Sequence, residues 1–220
     1  MLKAFIFDLD GTLIDSLADI ASSINRMLEA RGYPLCQDAG IFKQMVGDGM
    51  EKLVERALPP EARTPELITT CTEEYRDFYD RHWQEKTLPY PEINETLDAL
   101  KALGLKIGVI SNKAHRFTVP MTEHFFGAGR FDLILGQRVE VPRKPDPAGA
   151  FEAAATLGQQ PQECAYVGDS GIDMQFAKSS GMLGIGVDWG FRSVDELREF
   201  GAVHIISRPG ELLEIQAQAS

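Results

Sequence analysis

Cysteine is scarce in this chain: Cys36, Cys71 and Cys164 are the only three in 220 residues. Their odd number and wide spacing argue against a disulfide framework, and no Cys-x-x-Cys pair or His/Cys cluster offers a tetrahedral zinc site. The four histidines, His82, His115, His124 and His204, also lack ligand spacing. Long apolar runs are missing, since no stretch approaches the roughly 20 residues of a membrane helix. Residues 1–7 are apolar, but Asp8 and Asp10 cut the run too short for a secretory signal and no small-residue cleavage site follows. They read as a first strand, and the expectation is an intracellular, cytoplasmic protein. Positive charge is in deficit, with 22 basic against 33 acidic residues and a net charge of −11. That disfavours nucleic acid and anionic membranes as partners. A phosphorylated ligand stays open, because exposed charges are screened over about 8 Å and a local cation cluster can override the global sign.

What is present is a globular composition, 44% hydrophobic and 25% charged, enough for a substantial core. Short apolar runs at 3–9, 105–111, 131–135, 164–168, 183–187 and 204–206 are continuous rather than alternating, as in parallel strands covered on both faces. Helical stretches near 92–103, 115–126, 147–157, 171–180 and 193–200 lie between them. The alternation predicts right-handed βαβ units and an α/β fold with a doubly wound, mainly parallel sheet. From about Asp15 to Gln84 no strand is expected, only three helical patterns. The second of these is interrupted by Gly47-Asp48-Gly49, and Pro59-Pro60 separates it from the third. The expected organisation is a core of residues 1–14 and 87–220, with a small all-helical domain, 15–86, inserted after the first strand.

In open α/β sheets ligands bind beyond the carboxyl ends of the strands. Asp8, Asp10, Gly11 and Thr12 follow the first predicted strand, Ser111 and Asn112 the second, and Asp169, Ser170 and Asp173 the fourth. Lys144 lies in a proline-rigidified loop after the third. Each has an ordinary reading alone: Ser-Asn is a common helix cap, and Gly-Asp-Ser a common strand-to-helix turn. Their joint arrival at one sheet edge is what points to chemistry. Asp8 and Asp10, two apart on a strand, are expected on one face, with Asp169 completing three carboxylates. Like charges raise one another's pKa, and a hard divalent cation such as Mg²⁺ would neutralise them while leaving room for water and phosphate. Lys144 adds a second cation, worth about 4 kcal/mol per contact at 4 Å and an effective dielectric near 20, before desolvation. One carboxylate can then attack phosphorus and another transfer the proton.

These segments resemble the motifs of the haloacid dehalogenase superfamily, in order and over essentially the whole chain: Asp8-Leu9-Asp10-Gly11-Thr12, Ser111-Asn112, Lys144-Pro145, and Gly168-Asp169-Ser170-Gly171-Ile172-Asp173. The resemblance implies Asp8 as nucleophile and Asp10 as general acid/base. It implies Mg²⁺ held by the Asp8 side chain, the Asp10 backbone carbonyl and Asp169, supported by Asp173. Ser111 and Lys144 would bind the transferring phosphoryl group, and the helical insertion would be a cap that excludes water. Thr12 and Asn112 are expected to assist substrate binding. Within the superfamily the chain is similar to the phosphoglycolate phosphatase group, through Val46-Gly47-Asp48-Gly49 and Gly186-Val187-Asp188-Trp189-Gly190-Phe191-Arg192. Gly47 and Gly49 would let cap backbone approach a small substrate, or simply bend a helix.

The expected activity is Mg²⁺-dependent hydrolysis of a small phosphorylated metabolite, with 2-phosphoglycolate foremost, through an aspartyl-phosphate. A phosphosugar mutase or a sugar-phosphate or nucleotide phosphatase is the alternative within the fold. A receiver-like phospho-acceptor without turnover is the alternative from another class; the roughly 70-residue insertion argues against it. Monomer and dimer are both compatible with the sequence.

Overall fold

The computed structural model describes residues 1–219. These residues form two compact units, 1–14 with 89–219, and Asp15–Leu88. The strands are β1 (Ala4–Phe7), β2 (Ile14–Asp15), β3 (Leu88–Pro89), β4 (Lys106–Ala114), β5 (Leu133–Gln137), β6 (Cys164–Gly168), β7 (Leu183–Val187) and β8 (His204–Ile206). Six of them make a parallel sheet in the order β5-β4-β1-β6-β7-β8. The chain runs from β1 outward to β4 and β5, then returns to the other side of β1 for β6 to β8. The strand order therefore reverses at β1, which places a binding crevice at its carboxyl end.

Apolar side chains on β1 and β6 explain why the sheet is covered on both sides. Ala4, Ile6, Cys164 and Tyr166 share one cluster with Ala150, Ala153, Ala154, Phe176 and Ala177 of α7 (Ala148–Thr156) and α8 (Gly171–Ser180). Phe5, Phe7, Ala165 and Val167 alternate with the first set, hence face the other side, and are equally buried. Burying a side chain of the size of Phe5 or Phe7 contributes about 1.5–3 kcal/mol, so neither face tolerates polar replacement. The Cys164 thiol is pushed up to about 11 by that burial, an inert core group. Helices α5 (Ile93–Ala102), α6 (His115–Phe126), α9 (Val194–Glu199) and α10 (Glu211–Gln218) complete this unit. The sequence reading did not anticipate α10. The two ends of the unit's N-terminal segment and its return are joined, with the Tyr90 backbone N–H donating to the Leu13 carbonyl at 3.1 Å.

The second unit is helical, with α1 (Leu17–Ala30), α2 (Ala39–Met45), α3 (Met50–Ala57) and α4 (Pro65–His82). The sequence shows three helical patterns here, but the second is two separate helices. Gly47 and Gly49 adopt φ values of 127° and 88°, left-handed backbone that ends α2 and starts α3. The Arg56 side chain closes this turn on the Asp48 carboxylate at 2.5 Å and the Met45 carbonyl at 2.8 Å. In the first turn of α1, the buried Asp19 carboxylate accepts from the backbone N–H groups of Lys86 and Thr87, at 2.9 Å each, and from the Thr87 hydroxyl at 2.8 Å. That carboxylate ties the first and last segments of the unit together. Among the described residues no helix is long and apolar enough to cross a membrane.

Candidate active site

The end of β1 positions the first acids. Asp8 continues the ladder to β6, its N–H donating to the Val167 carbonyl at 2.9 Å. Beyond it the chain turns: the Leu9 carbonyl accepts from the N–H groups of Thr12, Leu13 and Ile14, and Gly11 donates to the Ile14 carbonyl. Asp10 therefore lies beyond β1, in an isolated bridge to Ile14 just before the turn at residues 11–13. β1 ends at Phe7, so strand alternation is not what places Asp8 and Asp10 relative to one another. The carboxylates that meet are Asp8, Asp169 and Asp173, with one ligand oxygen from each within 4.8 Å of the others. Asp10 is turned to Lys113, whose Nζ lies 3.1 and 3.0 Å from its two carboxylate oxygens.

Lys144 is the hub of the cluster. Its ammonium is almost wholly buried and reaches Asp173 Oδ1 at 2.7 Å, Asp8 Oδ1 at 3.1 Å and the Tyr166 hydroxyl at 2.8 Å. Tyr166 in turn donates to the Ile110 carbonyl at 2.7 Å, which fixes the lysine from below by way of β4. Asn112 holds the Lys144 backbone: its Nδ2 donates to the Lys144 carbonyl at 3.1 Å and its Oδ1 accepts the Lys144 N–H at 2.9 Å. Both ends of that amide thus position the lysine, a role different from the substrate contact expected of Asn112. Asp173 belongs to the N-terminal cap of α8, accepting from the Ser170 N–H at 3.1 Å and hydroxyl at 2.6 Å. Its second oxygen is thereby committed to protein donors, and the first to Lys144.

Asp169 is held from two sides, by a backbone N–H and by a side-chain hydroxyl. The Phe191 N–H donates to its Oδ2 at 2.7 Å, and the fully buried Thr12 hydroxyl stands 3.5 Å from its Oδ1. Thr12 therefore faces an acid of the cluster, and its carbonyl accepts from Trp189 Nε1 at 3.1 Å. A Cβ added to Gly11 or to Gly190 would overlap the Asp169 carboxylate, so both loops approach it as bare backbone. Ser111 is buried at the end of β4's hydrophobic stretch, and its hydroxyl works against the rise in the Asp8 pKa.

The charges explain what the cluster wants. Burial pushes the Asp8 carboxyl up to about 6; Lys144 opposes this and Asp173 adds to it. Burial, then the Asp173 and Asp8 charges, push Asp169 up to about 8. Burial also works against the Lys144 charge, but the Asp173 and Asp8 carboxylates outweigh it and its pKa stands well above the ordinary lysine value. Three carboxylates against one ammonium leave two negative charges, which one divalent cation balances. The oxygen-only donor set fits a hard cation such as Mg²⁺. With Asp173 committed to Ser170 and Lys144, Asp8 and Asp169 are the side chains that would hold it.

Sequence reasoning missed three participants: Lys113, Tyr166, and the Gly190-Phe191 backbone. Lys113 had a readable signal, since it directly follows Ser111 and Asn112 at the same strand end. Tyr166 sits mid-strand among apolar residues and gave none. Gly47 and Gly49 lie in the other unit, at the α2–α3 turn.

A family model described as haloacid dehalogenase-like hydrolase matches residues 5–187. The chain is 36% identical over 217 residues to a phosphoglycolate phosphatase of Chromobacterium violaceum, covering 97% of this chain and 96% of the relative. It is 32% identical over 219 residues to a phosphoglycolate phosphatase of Aquifex aeolicus, with 97% and 96% covered. Among solved structures, that of a predicted phosphoglycolate phosphatase from Haemophilus somnus superposes with a TM-score of 0.91 at 28% identity, covering 98% of each chain.

Proposed function

The chain belongs to the haloacid dehalogenase-like hydrolase family and is a phosphatase, and on that premise we propose that it hydrolyses 2-phosphoglycolate with Mg²⁺ through an aspartyl-phosphate. The observation that carries the mechanism is the Lys144 ammonium bridging Asp8 and Asp173 at the carboxyl end of β1, with Asp169 in the same cluster. The substrate rests on the two relatives of that name, aligned over nearly the whole chain, and on the Val46-Gly47-Asp48-Gly49 segment.

In this reading Asp8 supplies the attacking oxygen. Lys144 and Ser111 hold the phosphoryl oxygens, and Lys144 keeps Asp8 ionised and aimed. Asp8 and Asp169, with the Asp10 backbone carbonyl, would hold Mg²⁺, which when bound offsets the charge on the cluster and on the phosphate. As the ester P–O bond breaks, the Asp10 carboxyl gives its proton to the leaving oxygen. The resulting carboxylate then takes a proton from the water that attacks the aspartyl-phosphate, returning Asp8 and releasing phosphate.

The test is phosphate release from a panel of phosphomonoesters with Mg²⁺. The expected outcome is the highest kcat/KM for 2-phosphoglycolate, with Asp8→Asn retaining its fold and losing about 10⁴-fold or more in turnover. A higher kcat/KM for another ester would overturn the substrate, and wild-type turnover in Asp8→Asn would overturn the nucleophile.

A further inference from the structure

Asp10 follows Asp8, one of the three clustered carboxylates, by two residues, yet its side chain is engaged by Lys113. The ion pair is nearly sequestered, with side-chain exposures of 9% for Lys113 and 12% for Asp10. Its ammonium meets both oxygens at almost equal distance, a geometry that fixes the plane of a carboxylate as well as its position. Lys113 is itself set by its neighbours: its N–H donates to Ser111 Oγ at 3.3 Å, and its carbonyl accepts from the Thr118 hydroxyl at 3.0 Å. One short segment of β4 thus carries the proposed phosphoryl-binding hydroxyl of Ser111 and the cation on Asp10.

We infer that Lys113 is a positioning residue for the reaction: it holds the Asp10 carboxyl apart from the Asp8–Asp169–Asp173 cluster and aims it at the leaving oxygen. When one Asp10 oxygen takes up the proton that it later donates, the ammonium keeps the other, and the protonated oxygen turns to the substrate. The register of Lys113 to Ser111 then sets the distance between proton donor and bound phosphorus. This rests on the proposed acid/base role of Asp10. It adds that the placement of the Asp10 carboxyl is imposed by the residue two positions after Ser111, not by the alternation of β1.

The test uses the Mg²⁺-loaded protein and two substrates that differ in their need for a proton. One is 2-phosphoglycolate, or the best alkyl phosphate of the panel; the other is 2,4-dinitrophenyl phosphate, whose leaving group departs as an anion. Rates of the first turnover are measured by rapid quench for wild type, Lys113→Met, Lys113→Arg and Asp10→Asn. Lys113→Met should slow the first turnover of the alkyl ester by about 100-fold while changing that of the dinitrophenyl ester by less than about 3-fold. KM should stay within about 3-fold for both, and Lys113→Arg should restore most of the loss. Equal losses on the two esters, a loss confined to KM, or no loss would overturn the inference. Asp10→Asn separates the two readings. If it lacks the leaving-group dependence, the acid role of Asp10 fails. If it shows the dependence and Lys113→Met does not, only the role of Lys113 fails. Lys113→Gln is the second variant should Lys113→Met not fold.

Discussion

The side-chain amide of Asn112 grips the backbone of Lys144 at both its carbonyl and its N–H, at 3.1 and 2.9 Å. A strand-end residue thereby fixes the loop that delivers the site's central cation. Asn112→Ala should lower kcat by about 10- to 100-fold with little change in KM. Two hydrogen bonds lost at buried partners should also cost about 1–3 kcal/mol of stability. Steady-state kinetics and a denaturant melt check both, and a change confined to KM would return Asn112 to a substrate-binding role.

Removing divalent cation should make stability fall as pH rises. With Asp8 raised to about 6 and Asp169 to about 8, the folded chain keeps protons that the unfolded chain has already released. That stability is complete below the ordinary carboxylate range and is lost as pH climbs through those two values. Saturating Mg²⁺ should abolish the loss, because it favours the ionised cluster and displaces its protons. Thermal midpoints in chelator and in Mg²⁺ across this range provide the measurement; a chelator midpoint that rises with pH contradicts it.

Gly190→Ala should weaken cation binding. The added methyl would overlap Asp169 and the Gly11 carbonyl, so the carboxylate or the loop must shift. An affinity loss of about 10-fold or more for Mg²⁺, read by titration calorimetry, is expected. Unchanged affinity would mean that the loop yields without moving Asp169.

Asp19 tests stability apart from chemistry. Asp19→Ala removes an acceptor from two backbone N–H groups and the Thr87 hydroxyl and should destabilise by about 3 kcal/mol. Hydrogen exchange should show the loss concentrated at residues 86–87 and in α1; protection unchanged there would contradict it.

The sheet was legible wherever a strand was a continuous apolar run. β6, β7 and β8 occupy 164–168, 183–187 and 204–206 as read from the sequence. It was less legible where polar residues end a strand, because hydropathy does not register a turn made by backbone hydrogen bonds. The Leu9 carbonyl, with three N–H donors, ends β1's geometry early and sends Asp10 to Lys113. The same limit hid α10, whose short C-terminal pattern carries only Leu212, Leu213 and Ile215 as large apolar residues. Tyr166 was invisible for another reason. A tyrosine within an apolar strand reads as core, and only the fold reveals that its hydroxyl meets Lys144.

The hydrogen bond from Tyr90 to Leu13 has a consequence for how such a protein can change over evolutionary time. From the standpoint of the α/β unit, the 74 residues between Ile14 and Pro89 are one long excursion whose stems are already clasped. Closing a long loop costs entropy that grows only with the logarithm of its length, so lengthening or exchanging the excursion adds little once the stems are joined. The helical unit is therefore a graftable module. A lineage, or a designer, can trade it for another while the residues that do the chemistry stay where they are.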